Sequence, residues 1–169
     1  MNMTINAEKG GMSFAPSVTE ITVRGFHVDV FGVVNHAWYL HFFEEARWAY
    51  MDERAALRGG LHSAGIAHSV VSLVVQYRHP VRLGDILRIE TWVCRASSHS
   101  VTFAQMAYIG AGSDVAVEAQ VTDVFFRSRG GQVVGVDSEV FDSWGEMRDL
   151  TKPRSGDPGS PPKPRNGGF

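Results

Sequence analysis

Four stretches from Ile66 onward alternate apolar and polar side chains with a period of two. Between Ile66 and Arg78, Val71, Leu73, Val75 and Tyr77 alternate with Ser72, Gln76 and Arg78. Between Ile86 and Arg95, Leu87, Ile89, Thr91 and Val93 alternate with Arg88, Glu90 and Arg95. Val101, Phe103, Ala107 and Ile109 hold odd positions of the third stretch, and Val115, Val117, Ala119 and Val121 line one face of the fourth, which runs to Phe126. All four are rich in β-formers, so each predicts a strand with one buried face. The interruptions HPVRLGD, ASSHS, GAGSD and RSRGG are turn-like. A looser alternation over residues 19–26 and a short apolar run over Gln132–Val136 predict two further strands.

The first half reads differently. From Trp38 to Arg58 there is no Gly or Pro, and Tyr39, Phe43, Ala46 and Tyr50 recur at helical spacing, widened by Phe42 and Ala49. Glu44, Glu45, Arg47, Asp52 and Glu53 fall largely off that stripe. Asn35 is placed to cap the start and Gly59-Gly60 to stop the end, which predicts one long amphipathic helix. Alone in water such a helix is marginal. Burying its aromatic stripe against the strands, at about 1.5–3 kcal/mol per large side chain, would hold it. The order is strand, long helix, then four or five strands. Short breaks make the later strands an antiparallel meander, and the class is α+β.

The ends change the picture. Residues 1–18 read as a flexible arm, 19–148 as the folded domain, and 149–169 as a disordered tail holding five of the seven prolines. Over the 169 residues, 44% are hydrophobic, 20% are charged, and the net charge is -2, which argues against a nucleic-acid binder. The single cysteine, Cys94, excludes an internal disulfide and a Cys-based metal cage. With no apolar run of about 18 residues and no signal-like start, the reading is a cytoplasmic chain with no membrane insertion.

Chemistry concentrates at the loop entering the helix, Asp29-Val-Phe-Gly32-Val33-Val34-Asn35-His36. A helix start offers unpaired N–H groups and positive dipole. Gly32 permits close approach of another molecule, so the amides of Gly32, Val33 and Val34 are candidates to polarise a carbonyl as an oxyanion hole. Asp29 is the candidate nucleophile or general base. A protonated His27 close by would favour its carboxylate. No metal signature is present: His36 and His41 are five apart, not the four that aligns two imidazoles, and neither a phosphate loop nor a dinucleotide fingerprint occurs.

The run D-x-x-G-V-V-N-H-x-x-Y-x-x-x-x-E-x-A-R, from Asp29 to Arg47, resembles the acyl-CoA thioesterases of the 4-hydroxybenzoyl-CoA thioesterase and YbgC type. The likeness continues through Val75-Gln-Tyr77-Arg-His-Pro80 and Gly84-Asp85 and covers roughly residues 19–140. It implies the hotdog fold, a long central helix wrapped by a curved antiparallel sheet of five or six strands. It implies Asp29 as nucleophile or general base, with His36 and Tyr39 lining the site; His36 is the second catalytic candidate, and Glu45 and His27 join Tyr39 as candidates for the substrate pocket. It implies a homodimer with shared pockets, often paired again into a homotetramer. No cofactor is expected, coenzyme A entering only as part of the substrate. Arg24-Gly25-Phe26-His27 departs from the family, where an aromatic residue near Gly25 and an acidic or polar one near His27 are common.

Coenzyme A carries phosphates, and Arg78, Arg82, Arg95, Arg127 and Arg129 near the predicted strand ends are candidates to meet them. Two other functions fit the same fold: hydration or dehydration of an acyl thioester, pairing His36 with Glu45 across a dimer, and non-catalytic binding of an acyl-thioester.

Overall fold

The computed structural model describes residues 16–136. The expected tail at 149–169, the end of the domain at 148 and most of the N-terminal arm lie outside the described residues. The elements are β1 (Ser17–Thr22), a 3-10 turn (Gly25–His27), α1 (Trp38–Asp52), α2 (Ala55–Ser63), β2 (Ile66–Tyr77), β3 (Ile86–Ala96), β4 (Ser100–Ile109) and β5 (Val115–Arg127). The strands form one antiparallel sheet in the order β1-β3-β4-β5-β2. The class and the helix-on-sheet arrangement are as expected.

The two periodicities meet in the core. Leu87 and Ile89 on β3, Ala107 on β4, and Val117, Ala119 and Val121 on β5 share one face of the sheet. Tyr39, Phe42, Phe43 and Ala46 of α1 pack onto that face. Farther along the helix, Tyr50 and Met51 join Val93, Val101, Phe103 and Phe125. Fully buried Phe43 and Phe103 each contribute about 1.5–3 kcal/mol by leaving water.

Several expectations need correction. The first strand begins at Ser17, inside the expected arm, and ends at Thr22 rather than at residue 26. Its register with β3 runs from Ser17 opposite Thr91 to Thr22 opposite Ile86, where β3 begins, so no partner strand remains beyond Thr22. The meander covers only β3, β4 and β5. Both edges of β3 are taken by β1 and β4, so β2 pairs instead with β5 at the far edge. Gln132–Val136 is not a strand. It makes one isolated bridge, Phe126 with Val133, and its Val134 and Val136 N–H groups donate to Phe125 O and Ser98 O.

The long helix is two helices. Arg54, with φ -113° and ψ 49°, breaks it without any Gly or Pro. Its guanidinium folds back to donate to Tyr50 O at 3.0 Å and stacks 3.6 Å from the Tyr50 ring centroid. A cation at the last turn also suits the helix dipole. Ser17 of β1 donates to Glu53 Oε1 at 2.7 Å, tying the same point to the sheet. Gly59 and Gly60 do not stop anything; they lie within α2. The chain turns out at Gly65, whose φ of +66° is the left-handed geometry of a helix exit. Among the described residues no helix is long and apolar enough to cross a membrane.

Candidate active site

The loop entering α1 is a small hairpin. Val28 bridges Val34, and Asp29 N–H donates to Val33 O at 2.9 Å. Gly32 N–H donates to Asp29 O at 3.0 Å, and Gly32 has φ +73°, which an L side chain resists. Asp29 Oδ1 accepts Phe31 N–H at 2.9 Å, an Asx turn that fixes the carboxylate at the hairpin tip. Asp29 is half-buried, and its Oδ2 makes no hydrogen bond among the described residues. The flanking Val30 and Phe31 are 94% and 81% exposed.

The segment joining β2 to β3 supports the hairpin from beneath. Val34 N–H donates to Val81 O at 2.8 Å, and Val33 bridges Arg82. Asn35 then starts the helix. Its Oδ1 accepts Ala37 N–H at 3.0 Å and its carbonyl accepts Trp38 N–H at 2.9 Å. Asn35 therefore caps the leading turn, while the helix proper begins at Trp38 with Ala37 at its cap position.

These bonds sort the three candidate oxyanion amides. Gly32 and Val34 already donate, to Asp29 O within the loop and to Val81 O in the segment between β2 and β3. Val33 N–H has no acceptor among the described residues, and neither has His36 N–H at the helix start. His36 is exposed, and its carbonyl accepts the Tyr77 hydroxyl at 3.2 Å. That bond brings the end of β2 to the start of α1.

The expected pocket residues separate. His27 is buried against Phe26, Trp38 and Phe42, with ring centroids 4.2, 4.7 and 4.8 Å away. Its Nδ1 accepts Arg24 N–H at 3.0 Å, so the neutral ring carries its proton on Nε2. Burial first and the Arg24 charge second hold its pKa below the usual value, against a smaller opposing effect of Glu45. His27 is thus not the cation that would favour the Asp29 carboxylate. Tyr39 is a core residue 5.5 Å from the Tyr77 ring, and burial, with Tyr77 and Asp85, pushes its hydroxyl pKa well up. Glu45 is exposed, nine residues from His36, which is about 14 Å of helical rise and half a turn around the axis. One subunit does not bring that pair together.

The arginines also divide. Arg82 lies beside Val33, and Arg78 stands at the same end of β2, held by Glu118 at 2.7 Å. Arg127 pairs with Ile66 at the opposite end of β2 and donates to Ala64 O at 3.2 Å. Arg129 follows it in an exposed turn, and Arg95 lies at the far end of β3.

Two polar residues escaped the sequence reading although their signal was present. Gln105 and Asp123 occupy the helix-facing rows of β4 and β5, between Phe103 and Ala107 and between Val121 and Phe125. Gln105 is fully buried and donates to Phe43 O at 2.8 Å and Thr91 Oγ1 at 3.1 Å, while Arg47 donates to its Oε1 at 3.0 Å. Asp123 is 2% exposed and holds His68 Nδ1 at 2.7 Å. A polar residue interrupting an apolar row is the mark that would have found both.

A family model described as the thioesterase-like superfamily matches residues 23–144. The chain is 30% identical over 129 residues to the long-chain acyl-CoA thioesterase FadM of Escherichia coli strain K12, covering 76% of this chain and 97% of that protein. It is 36% identical over 78 residues to the acyl-CoA thioesterase YbgC of Haemophilus influenzae, 46% of this chain and 57% of that one. Among solved structures, the probable thioesterase YbaW of Escherichia coli superposes with a TM-score of 0.70 at 29% identity, over 75% of this chain and 95% of that one.

Proposed function

The chain belongs to the thioesterase-like superfamily, and from that premise we propose that it hydrolyses acyl-CoA thioesters at the tip of the 28–34 hairpin. The observation that carries this is the placement of Asp29. Its carboxylate is fixed through Oδ1 by Phe31 N–H, with Oδ2 unengaged and the free amide of Val33 in the same hairpin.

In the proposed reaction the thioester carbonyl oxygen takes hydrogen bonds from Val33 N–H and from the start of α1 at His36. Donors fixed before the reaction stabilise the negative charge that builds on that oxygen. Asp29 supplies an electron pair either to the carbonyl carbon directly or to the proton of an attacking water. The C–S bond then breaks. Where Asp29 attacked the carbon, water next hydrolyses the acyl–Asp29 anhydride and restores the carboxylate; where Asp29 activated water, that water supplies the new oxygen. Coenzyme A leaves as the thiol, taking up a proton, and the acyl group ends as the free acid. Thiolate is a good leaving group, so the site needs no strong acid, and the reaction uses neither a metal nor a cofactor of the protein's own.

The proposed assembly is a homodimer paired through β2, joined again into a tetramer as the family resemblance implies. β2 is an edge strand whose second side is unpaired among the described residues. Val71 and Val74 on it are 59% and 56% exposed. Such an edge is a template for another strand. Antiparallel pairing of two β2 strands would bring the Ile66 end of one subunit to the Tyr77 end of the other. Arg127 and Arg129 of one subunit would then flank the second subunit's hairpin, where they and Arg82 suit the phosphates of coenzyme A.

The test is thiol release measured across a panel of acyl-CoAs, beside enoyl absorbance and equilibrium binding. Thiol release with multiple turnovers is expected. A change in enoyl absorbance without free thiol would make the protein a hydratase or dehydratase, and binding without turnover would make it a carrier.

A further inference from the structure

A second polar centre lies away from the hairpin. Between one flank of α1 and the β2–β5 pair is a cavity of about 240 Å³. Its walls are Trp48, Met51, Val70 and Phe103, and its polar groups are Glu44, Arg47, His68, Ser69 and Asp123. Val70 and Trp48 are 45% and 50% exposed and mark its mouth. The volume exceeds the roughly 150 Å³ of an engineered cavity that holds a benzene ring.

Asp123 is the feature that needs an explanation. It sits in a row of apolar side chains, almost wholly buried, and only its Oδ2 is engaged, by His68 Nδ1 at 2.7 Å. Oδ1 is buried and has no hydrogen-bond partner among the described residues. A buried carboxylate oxygen without a donor is costly, more so than a neutral group. The Arg47 guanidinium, on the same cavity wall, donates through Nη1 to Gln105 and attracts Asp123 by its charge without a hydrogen bond to Oδ1.

The chemistry of an occupant follows from these groups. Its body must be apolar to suit Trp48, Met51, Val70 and Phe103. It must bring a hydrogen-bond donor to Asp123 Oδ1. A carboxylate would meet Asp123 and Glu44 with like charge, and an ammonium would meet Arg47. A neutral hydroxyl on a hydrocarbon satisfies all three conditions. The cavity also lies along the helix whose start faces the hairpin: Arg47 is nine residues beyond Trp38, about 14 Å of rise.

We propose that this cavity is the distal acyl subsite of the enzyme, and that Asp123, held by His68, selects acyl chains carrying a hydroxyl far from the thioester carbonyl. The assignment rests on the thioesterase reading above. Asp123 and His68 act here on specificity and take no part in the bond-breaking step. The hydroxyl donates to Asp123 Oδ1, and a plain chain of the same length leaves that oxygen unsatisfied.

The experiment compares kcat/KM for dodecanoyl-CoA, β-hydroxydodecanoyl-CoA and ω-hydroxydodecanoyl-CoA by thiol release. Wild type is expected to favour the ω-hydroxy chain over the plain one by at least about 10-fold, the yield of one hydrogen bond to a charged acceptor. The β-hydroxy chain, with its hydroxyl near the carbonyl, should gain nothing. Asp123→Asn should lower the ω-hydroxy to plain ratio. If that variant does not fold, the three wild-type rates still decide the matter. Equal rates for plain and ω-hydroxy chains would overturn the inference, with water filling the cavity, and leave thioester hydrolysis standing. No thiol release from any of the three, nor from the wider panel, would overturn both.

Discussion

Replacing Asp29 by Asn separates chemistry from folding at the hairpin. The side chain has one described structural task, accepting Phe31 N–H through Oδ1 at 2.9 Å. Asn keeps that acceptor, and the backbone bonds of the turn, Asp29 N–H to Val33 O and Gly32 N–H to Asp29 O, do not involve the side chain. The melting temperature of Asp29→Asn should therefore stay within about 2 °C of wild type. Asp29→Ala deletes the turn bond, a loss of about 0.5–1.5 kcal/mol, or about 1–6 °C for a chain of this size. Activity should behave differently. Both variants lose the anion that attacks or activates water, so kcat should fall at least about 10²-fold, or about 2.7 kcal/mol in the barrier. The assay is thiol release under saturating acyl-CoA, with thermal melting on the same samples. A folded Asp29→Asn protein with unchanged kcat would refute the assignment and turn attention to His36.

Other outcomes follow from the same structure. Light scattering should show a dimer or tetramer at micromolar concentration, and Val71→Lys with Val74→Lys on the β2 edge should give monomers without activity. A metal chelator should leave thiol release unchanged; loss restored by zinc would replace the proposed mechanism. The pKa of His27 is lowered on folding by burial, so the unfolded chain binds the extra proton first. The contribution of His27 is fully present above its ordinary pKa of about 6.5 and is lost as pH falls through the lower folded value. Melting temperature should drop with acidification in that window, and His27→Phe should flatten the drop; an unchanged slope would show that His27 is not its source.

The sequence alone determined the parts that depend on local chemistry. Strand positions β2 to β5 followed from period two, which β5 realises as alternating burial, whereas no residue of β2 is buried within this chain. The aromatic face of α1 followed from the spacing of Tyr39, Phe43, Ala46 and Tyr50. The turn at Asp29 was legible, though not the pairing that makes it a hairpin, because Asp, Gly32 and Asn35 each solve a local backbone problem that few residues solve. What depended on partners distant in the chain was not legible. The break at Arg54 arises from its own guanidinium closing on Tyr50 and from Ser17 reaching Glu53, neither of which leaves a Gly or Pro in the text. The place of β2 was decided by competition for edges: β1 and β4 occupy both sides of β3, leaving β2 only β5. Which loop amides remain free was decided by Val81, more than forty residues downstream, accepting from Val34. The cavity at Asp123 exists because α1, β2 and β5 converge there. A polar interruption in an apolar row signals that a partner is required, but only the packing of three separate elements determines which groups that partner must meet.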